Sequence, residues 1–340
     1  MMTKRNNSLD LLRVISTIAV IMIHINWNYF GPISESYQWS FHYAIESLIN
    51  IVTRFSVPAF VMISGYFNLK DQKNMNVSYF YKKTFIKIGL PVIVVITLFA
   101  ITDLFDIQHR GTTLVPALQS ILNGTYYNLW FVYMIFGCYF LTPVILAFKE
   151  KTSYRTYKMF VIISLFWAFL SQATSSQSYS YSIGVVGAFI TYYMYGDLVR
   201  IELEKRRKKR IKDNNLKYFL ISLLCIALTF YSRWKGNSYY LSAAFTNFFS
   251  PTIMIYSICV FKSFVNLNIK ANWSRLSNLT FYIYLFHTWI YLWIFTWIDR
   301  VIHFKPIFMI MIVTALTFTL SWLVSMIYNW LWNKGKKLLA

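Results

Sequence analysis

A chain of 340 residues that is 57% hydrophobic, 20% aromatic and only 13% charged, with its apolar residues in repeated long runs, is excluded from the ordinary soluble folds. Its formal net charge of +21 invites a nucleic-acid reading, but Lys and Arg sit in short links between apolar runs and on no basic-aromatic folded module, so no nucleic-acid partner is expected. Cys138, Cys225 and Cys259 fall inside apolar segments without C-x-x-C spacing, which argues for packing residues and against a disulfide framework or a metal site.

Taken in chain order, the runs predict spans at about 9–29, 42–67, 85–105, 127–147, 157–173, 181–199, 216–232, 241–263, 276–298 and 306–331. The fold class expected is therefore an all-α polytopic membrane protein of about ten transmembrane helices. Lys4 and Arg5 precede the first run as in a signal peptide, but Arg13 interrupts it and no small-x-small cleavage site follows, so it is kept as an uncleaved first helix. Most of the 33 Lys and Arg fall on one set of links: the amino end, 68–87, 148–158, the RIELEKRRKKRIKDNNLK stretch of 200–217, the link after 263 and the carboxyl end. Arg110, Arg233, Lys235, Arg300 and Lys305 lie on the other set, and Arg13 and Arg54 lie within spans. Positive charge marks cytoplasmic loops, so both termini are expected in the cytoplasm. No internal repeat is apparent and no separate soluble domain is expected, which leaves a single transmembrane domain over 1–340.

The first run, LDLLRVISTIAVIMIHINWN, is long enough to cross a bilayer, yet it carries Asp10, Arg13 and His24. At ~100° per residue these fall with Thr17 and Asn28 in one stripe about 60° wide. Ionisable groups at membrane depth face a bundle interior or a wet cavity, so this stripe is expected to line a site. His24, 15 residues beyond Leu9 and roughly 22 Å along the helix, belongs to the outer half of the membrane. A histidine there is a hydrogen-bonded packing residue, a general base or a nucleophile.

The second run repeats the theme, with His42, Glu46, Asn50, Thr53 and Ser64 near one face and Arg54 beside it. Pro58 has no N–H for the Arg54 carbonyl, so the helix is expected to loosen or kink there. Arg54 either lines a cavity or pairs with Glu46 to hold the bundle together. Lys83 and Lys87, four apart at the start of the third run, are snorkelling anchors or a pair of cations for the phosphates of a nucleotide-bearing donor. His287, mid-span in FYIYLFHTWIYLW, either hydrogen-bonds across the bundle or completes a site around His24. His42, His109 and His303 read as surface residues near outer helix ends or in an outer loop. The basic run of 200–217 is read as a topology determinant with no catalytic role. Neither a phosphate-binding glycine loop, an H-E-x-x-H motif nor a G-x-S-x-G elbow occurs.

The segments LDLLRVISTIAVIMIH, RFSVPAFVMISGYF, NLWFVYMIFGCYFLTPV and FYIYLFH, in this order and spacing, resemble the integral-membrane acyltransferase-3 family, and within it the stand-alone surface polysaccharide O-acetyltransferases. The resemblance implies a bacterial multi-pass plasma-membrane enzyme that moves an acyl group, usually acetyl, from cytoplasmic acyl-CoA to a hydroxyl of a cell-surface or lipid-linked polysaccharide. No bound cofactor and no metal are implied; acetyl-CoA is a substrate, and the partners are the donor, the glycan and the bilayer. By the same resemblance Arg13, His24 and Asp10 match the essential groups of the first helix, Arg54 the arginine before the V-P-x-F segment, and Lys83 and Lys87 the donor-binding basic pair. Lysine stands there where arginine is common, which weakens bidentate phosphate recognition. Asn329 occupies the region where some members carry a glutamate. Glu46, Ser64 and His287 are expected to contact substrate or support those groups. The alternative is a non-catalytic transporter or flippase of a glycan through the same polar path.

Overall fold

The computed structural model describes residues 6–36, 40–105, 126–174, 183–209, 214–236, 245–301 and 306–338. Lys4, Arg5, His109, Arg110, His303 and Lys305 lie outside them. The elements, in chain order, are α1 (Asn7–Ser36), α2 (Phe41–Thr53), α3 (Ser56–Asn68), α4 (Val77–Thr84), α5 (Leu90–Phe105), α6 (Trp130–Phe140), α7 (Thr142–Lys151), α8 (Tyr154–Thr174), α9 (Ile183–Lys208), α10 (Asn215–Lys235), α11 (Pro251–Asn266), α12 (Ser274–Ser277), α13 (Thr280–Val301) and α14 (Pro306–Leu338). Among the described residues there is no strand.

Among the described residues, six stretches are long and apolar enough to cross a bilayer: Asn7–Asn28, Phe41–Asn68, Val77–Thr102, Trp130–Lys151, Asn215–Lys235 and Phe308–Lys334. Pro251–Asn266 and Thr280–Phe295 are apolar but shorter. Large exposed apolar side chains such as Ile163, Phe166 and Trp167 of α8 and Phe219, Leu224 and Leu228 of α10 present a surface suited to lipid. The chain is an all-helical, multi-pass membrane protein.

Several expected boundaries move for local reasons. The third span begins earlier, because Asn76 caps α4 by accepting from the Tyr79 N–H at 3.0 Å. The helix then runs through a π-wound turn, Phe85–Gly89, into α5. The fourth is divided at Leu141, where Pro143 near the start of α7 lacks the N–H that would continue the ladder. The seventh extends three residues further to Lys235, so Arg233 belongs to a helix and is buried, not placed on an outer link as its sequence suggests.

The chain forms two compact units, residues 1–60 with 213–340 and residues 61–212. In the first, α1 packs against α2, α11, α12, α13 and α14, with α10 against α2 and α11. Ile21 and Ile25 of α1, Ile283 and Tyr291 of α13 and Ile310 and Val313 of α14 fill its core.

In the second unit α8 and α6 both pack on α9. There two glycines set how closely α3 and α9 approach: a Cβ at Gly65 would stand 1.8 Å from the Tyr193 carbonyl oxygen, and one at Gly196 2.0 Å from that of Met62. With lipid as solvent, helices associate through such close contact more than through apolar burial. Asp197, fully buried one residue beyond Gly196, accepts from Lys149 at 2.9 Å and from Arg200 at 2.6 and 3.0 Å, and Arg200 reaches Glu204 at 2.9 Å. Cys138, Cys225 and Cys259 are buried free thiols, as expected of packing residues.

Gly65→Ala and Gly196→Ala are expected each to cost ~1–3 kcal/mol or more from forced helix separation, read as a lower melting temperature or lost folded yield in detergent. Gly187→Ala, whose Cβ meets nothing within 4 Å, is the control expected to change neither.

Candidate functional site

The stripe of α1 divides into two ends, both in the first unit. At the cytoplasmic end suggested by the loop charges, Asp10 is buried, accepts a 2.6 Å hydrogen bond from the Ser277 hydroxyl and pairs with Arg13 at 3.4 Å. The Ser8 hydroxyl donates to the Leu267 carbonyl at 2.8 Å, and the Asn7 amide to that of Ile269 at 3.3 Å, so α1 is fastened to the segment that leads into α12. Midway, Thr17 turns its hydroxyl back on the Arg13 carbonyl at 2.9 Å. Asn28 does the same to the His24 carbonyl at 2.9 Å. These two stripe positions satisfy the helix itself.

At the other end the rings of His24 and His287 face each other, centroids 5.4 Å apart and planes inclined by 37°. His287 Nδ1 lies 2.5 Å from the Tyr284 carbonyl oxygen, which can only accept, so Nδ1 carries the proton of that bond. In a neutral ring Nε2 is then an acceptor, served by the Thr288 hydroxyl at 3.1 Å. His287 is thus held from two sides by its own helix. His24 is half-buried, and among the described residues its ring has no hydrogen-bond partner. One of the paired imidazoles is held by hydrogen bonds on both ring nitrogens, and the other, among the described residues, is not.

The Arg54 guanidinium is within electrostatic reach of His24. Arg54 caps α2 at the break before α3, its N–H donating to the Ile51 carbonyl at 3.2 Å, which is the interruption expected from Pro58. Its Nε donates to Asn50 Oδ1 at 2.7 Å, and the guanidinium lies over the Phe248 ring at 5.2 Å. Asn50 Nδ2 in turn donates to Glu46 Oε1 at 3.0 Å. Glu46 Oε2 pairs at 2.5 Å with Arg233 of α10, both side chains 1% exposed or less. Glu46 therefore does not pair with Arg54; a buried arginine from another helix takes that place, and Asn50 bridges the two. The Asn26 amide of α1 also donates to the Glu46 carbonyl at 3.2 Å, which ties this layer to the helix that carries His24.

The expected site residues are thus distributed. His24 and His287 lie together, Arg54 and Glu46 are joined through Asn50, and all four belong to the first unit. Arg13 lies 11 residues before His24, ~16 Å away by helix rise, too far to act on the same atoms. Ser64, Lys83 and Lys87 belong to the second unit. There Ser64 accepts from the Tyr139 hydroxyl at 3.2 Å, and Lys83 donates to Asn74 Oδ1 at 3.2 Å with its ammonium 5.5 Å from the Tyr79 ring centroid. Lys87, on the π-wound turn, is exposed. His42 is exposed, as a surface histidine should be. Arg233, Ser277 and the bridging role of Asn50 went unassigned from sequence. Asn50 sits in the polar face of its helix, a signal that was present; Arg233, in SRWKG, looks like the end of a link.

A family model described as an acyltransferase domain matches residues 6–326. The chain belongs to the acyltransferase-3 family. No curated protein and no solved structure matches the chain. The acyltransferase match takes in every residue of both ends of the stripe and of the Arg54–Asn50–Glu46–Arg233 chain.

Breaking the buried pair leaves an uncompensated charge, so Glu46→Ala is expected to cost ~3–5 kcal/mol of stability. The double change Glu46→Leu/Arg233→Met, which removes both charges and keeps apolar volume, is expected to melt within a few degrees of the parent protein. Thermal unfolding in detergent checks both.

Proposed function

We propose that this membrane acyltransferase moves an acetyl group from cytoplasmic acetyl-CoA to a hydroxyl of a cell-surface or lipid-linked polysaccharide, with His24 at the reacting atoms. The observation that carries this reading is the paired arrangement of His24 and His287 in a chain of acyltransferase family. The proposal extends to a bacterial plasma-membrane setting, about ten spans, cytoplasmic termini and the whole of 1–340 acting as one acyltransferase domain.

Chemically, the acceptor hydroxyl gives its proton to a ring nitrogen of His24 as its oxygen attacks the thioester carbon. The C–O bond forms, the carbonyl electrons move to oxygen, and the Arg54 guanidinium faces the resulting oxyanion. Collapse re-forms the carbonyl, breaks the C–S bond and expels the CoA thiolate, which recovers the proton from His24. The products are the sugar ester and free CoA. The nucleophilic variant divides this into two transfers through an acyl-imidazole at His24. His287, with Nδ1 committed to the Tyr284 carbonyl, serves as the fixed wall against which the His24 ring is oriented. Asp10 compensates Arg13 at the inner end of the same helix. Ser64 is assigned to acceptor contact, and Lys83 and Lys87 to the phosphates of CoA as two point charges.

The test is transfer from labelled acetyl-CoA to a panel of lipid-linked and free oligosaccharides by purified protein. His24→Ala is expected to lower the rate by ~10²-fold or more with folded yield unchanged, and Arg54→Ala by ~10²–10³-fold. Glycan translocation that survives His24→Ala, with no acyl transfer to any acceptor, overturns the enzyme in favour of a transporter. Mass spectrometry after donor alone separates the routes: an acetyl adduct at His24 marks the two-step path, and its absence direct transfer.

A further inference from the structure

The chain of contacts behind Arg54 ends on Arg233, a residue with no part in the reaction just described. A buried ion pair offers little stability over apolar packing of the same volume, so the Glu46–Arg233 pair calls for another use. Its geometry supplies one. A carboxylate only accepts hydrogen bonds and a guanidinium only donates them, whereas a carboxamide does both. With Glu46 on one side at 3.0 Å and Arg54 on the other at 2.7 Å, the Asn50 amide has a single orientation: NH2 to Glu46, carbonyl to Arg54. Side chains on a helix lean toward its N-terminus, so Arg54 reaches back along α2, and the Asn50 carbonyl holds it there. Arg233 is itself seated, its carbonyl accepting from the Tyr43 hydroxyl at 3.1 Å and its guanidinium 5.3 Å from the Tyr43 ring centroid.

We propose that Arg233 is a positioning residue: through Glu46 and Asn50 it sets the hydrogen-bond polarity that orients the Arg54 guanidinium in the unit that carries His24, without itself touching substrate. This rests on the reading of Arg54 as the group that faces the oxyanion. A purely structural pair works equally well in either order; a polarity relay does not. In the swap Glu46→Arg/Arg233→Glu the ion pair persists, but position 46 now only donates. Asn50 then turns its carbonyl toward position 46 and its NH2 toward Arg54, where donor meets donor.

The experiment compares the parent protein with the swap, with Asn50→Leu, which leaves the ion pair in place, and with Arg233→Lys. Two readouts are taken: kcat and KM for acetyl transfer, and hydrogen exchange of the Arg54 Nε–H in 15N-arginine-labelled protein in micelles, its signal identified by loss in Arg54→Lys. The expected result is a fall in kcat of about 10²-fold for the swap and for Asn50→Leu, with donor KM changed less than about threefold and fast exchange at Arg54. Arg233→Lys is expected to keep slow exchange and kcat within about threefold of the parent. A folded swap with parental kcat and slow exchange overturns the proposal, as does a folded Asn50→Leu that behaves like the parent where the swap does not fold. Absence of acyl transfer in the parent refutes the enzymatic reading alone, and the exchange measurement still decides whether Arg233 orients Arg54.

Discussion

Charge withdrawn from water must be matched by charge, and in this protein one match, Glu46 with Arg233, governs how the first unit is put together. Both side chains are buried, so neither helix can shift without exposing an uncompensated ion to an apolar interior. The pair joins α2 to α10, the Tyr43 hydroxyl repeats the connection through the Arg233 backbone, and Asn26 joins α1 to the same turn of α2. His24 lies half a turn from Asn26 and His287 lies against it. The helix that carries His24 is thus anchored beside the charge pair, and apolar packing around Ile21, Ile25, Ile283 and Ile310 fills the core of the unit.

The two ends of the α1 stripe are built on opposite plans. Asp10 is closed off by Ser277 and Arg13, and the neighbouring polar side chains of Asn7 and Ser8 are spent on backbone carbonyls of the segment after α11. That end anchors the helix. The His24 end leaves its ring without a hydrogen bond while His287 is committed to Tyr284 and Thr288, Arg54 to Asn50 and Asn50 to Glu46. Under the proposed reaction this arrangement serves preorganisation, since no hydrogen-bond partner of the His24 ring has to be released when substrate arrives.

Much of this was legible in the residues. Helical periodicity placed Asp10, Arg13 and His24 on one face of α1, and Pro58 announced the break at Arg54, because both features depend only on local geometry. The partner of Glu46 did not show. Arg54, eight positions away on the same polar run, was the nearest cation in sequence, whereas Arg233 is 187 positions distant and follows a span whose apolar signal fades near 232. Pairing across helices is a property of tertiary packing, and no helical or strand period encodes it. The same holds for Ser277 on Asp10 and for the glycine contacts of α3 with α9, where the informative neighbour is a backbone carbonyl. Lys83 and Lys87 read as an equivalent pair by spacing, yet one is held by Asn74 and the other is exposed on a π-wound turn.

The break between α2 and α3 places Arg54 at the end of a helix. Interrupting a helix at membrane depth frees carbonyl oxygens, and a guanidinium at the break is the nearest donor able to claim them. Three carbonyls beside this break are met by hydroxyl groups. The Tyr256 hydroxyl donates to the Val52 carbonyl at 2.8 Å, and the Thr53 hydroxyl reaches those of Ile49 at 2.7 Å and Asn50 at 3.1 Å. Arg54 itself donates to the Asn50 side chain and lies over the face of Phe248. Pro58 therefore does more than bend the chain. It ends α2 where an arginine can leave the helical ladder, and the Tyr256 and Thr53 hydroxyls meet three carbonyls beside the break.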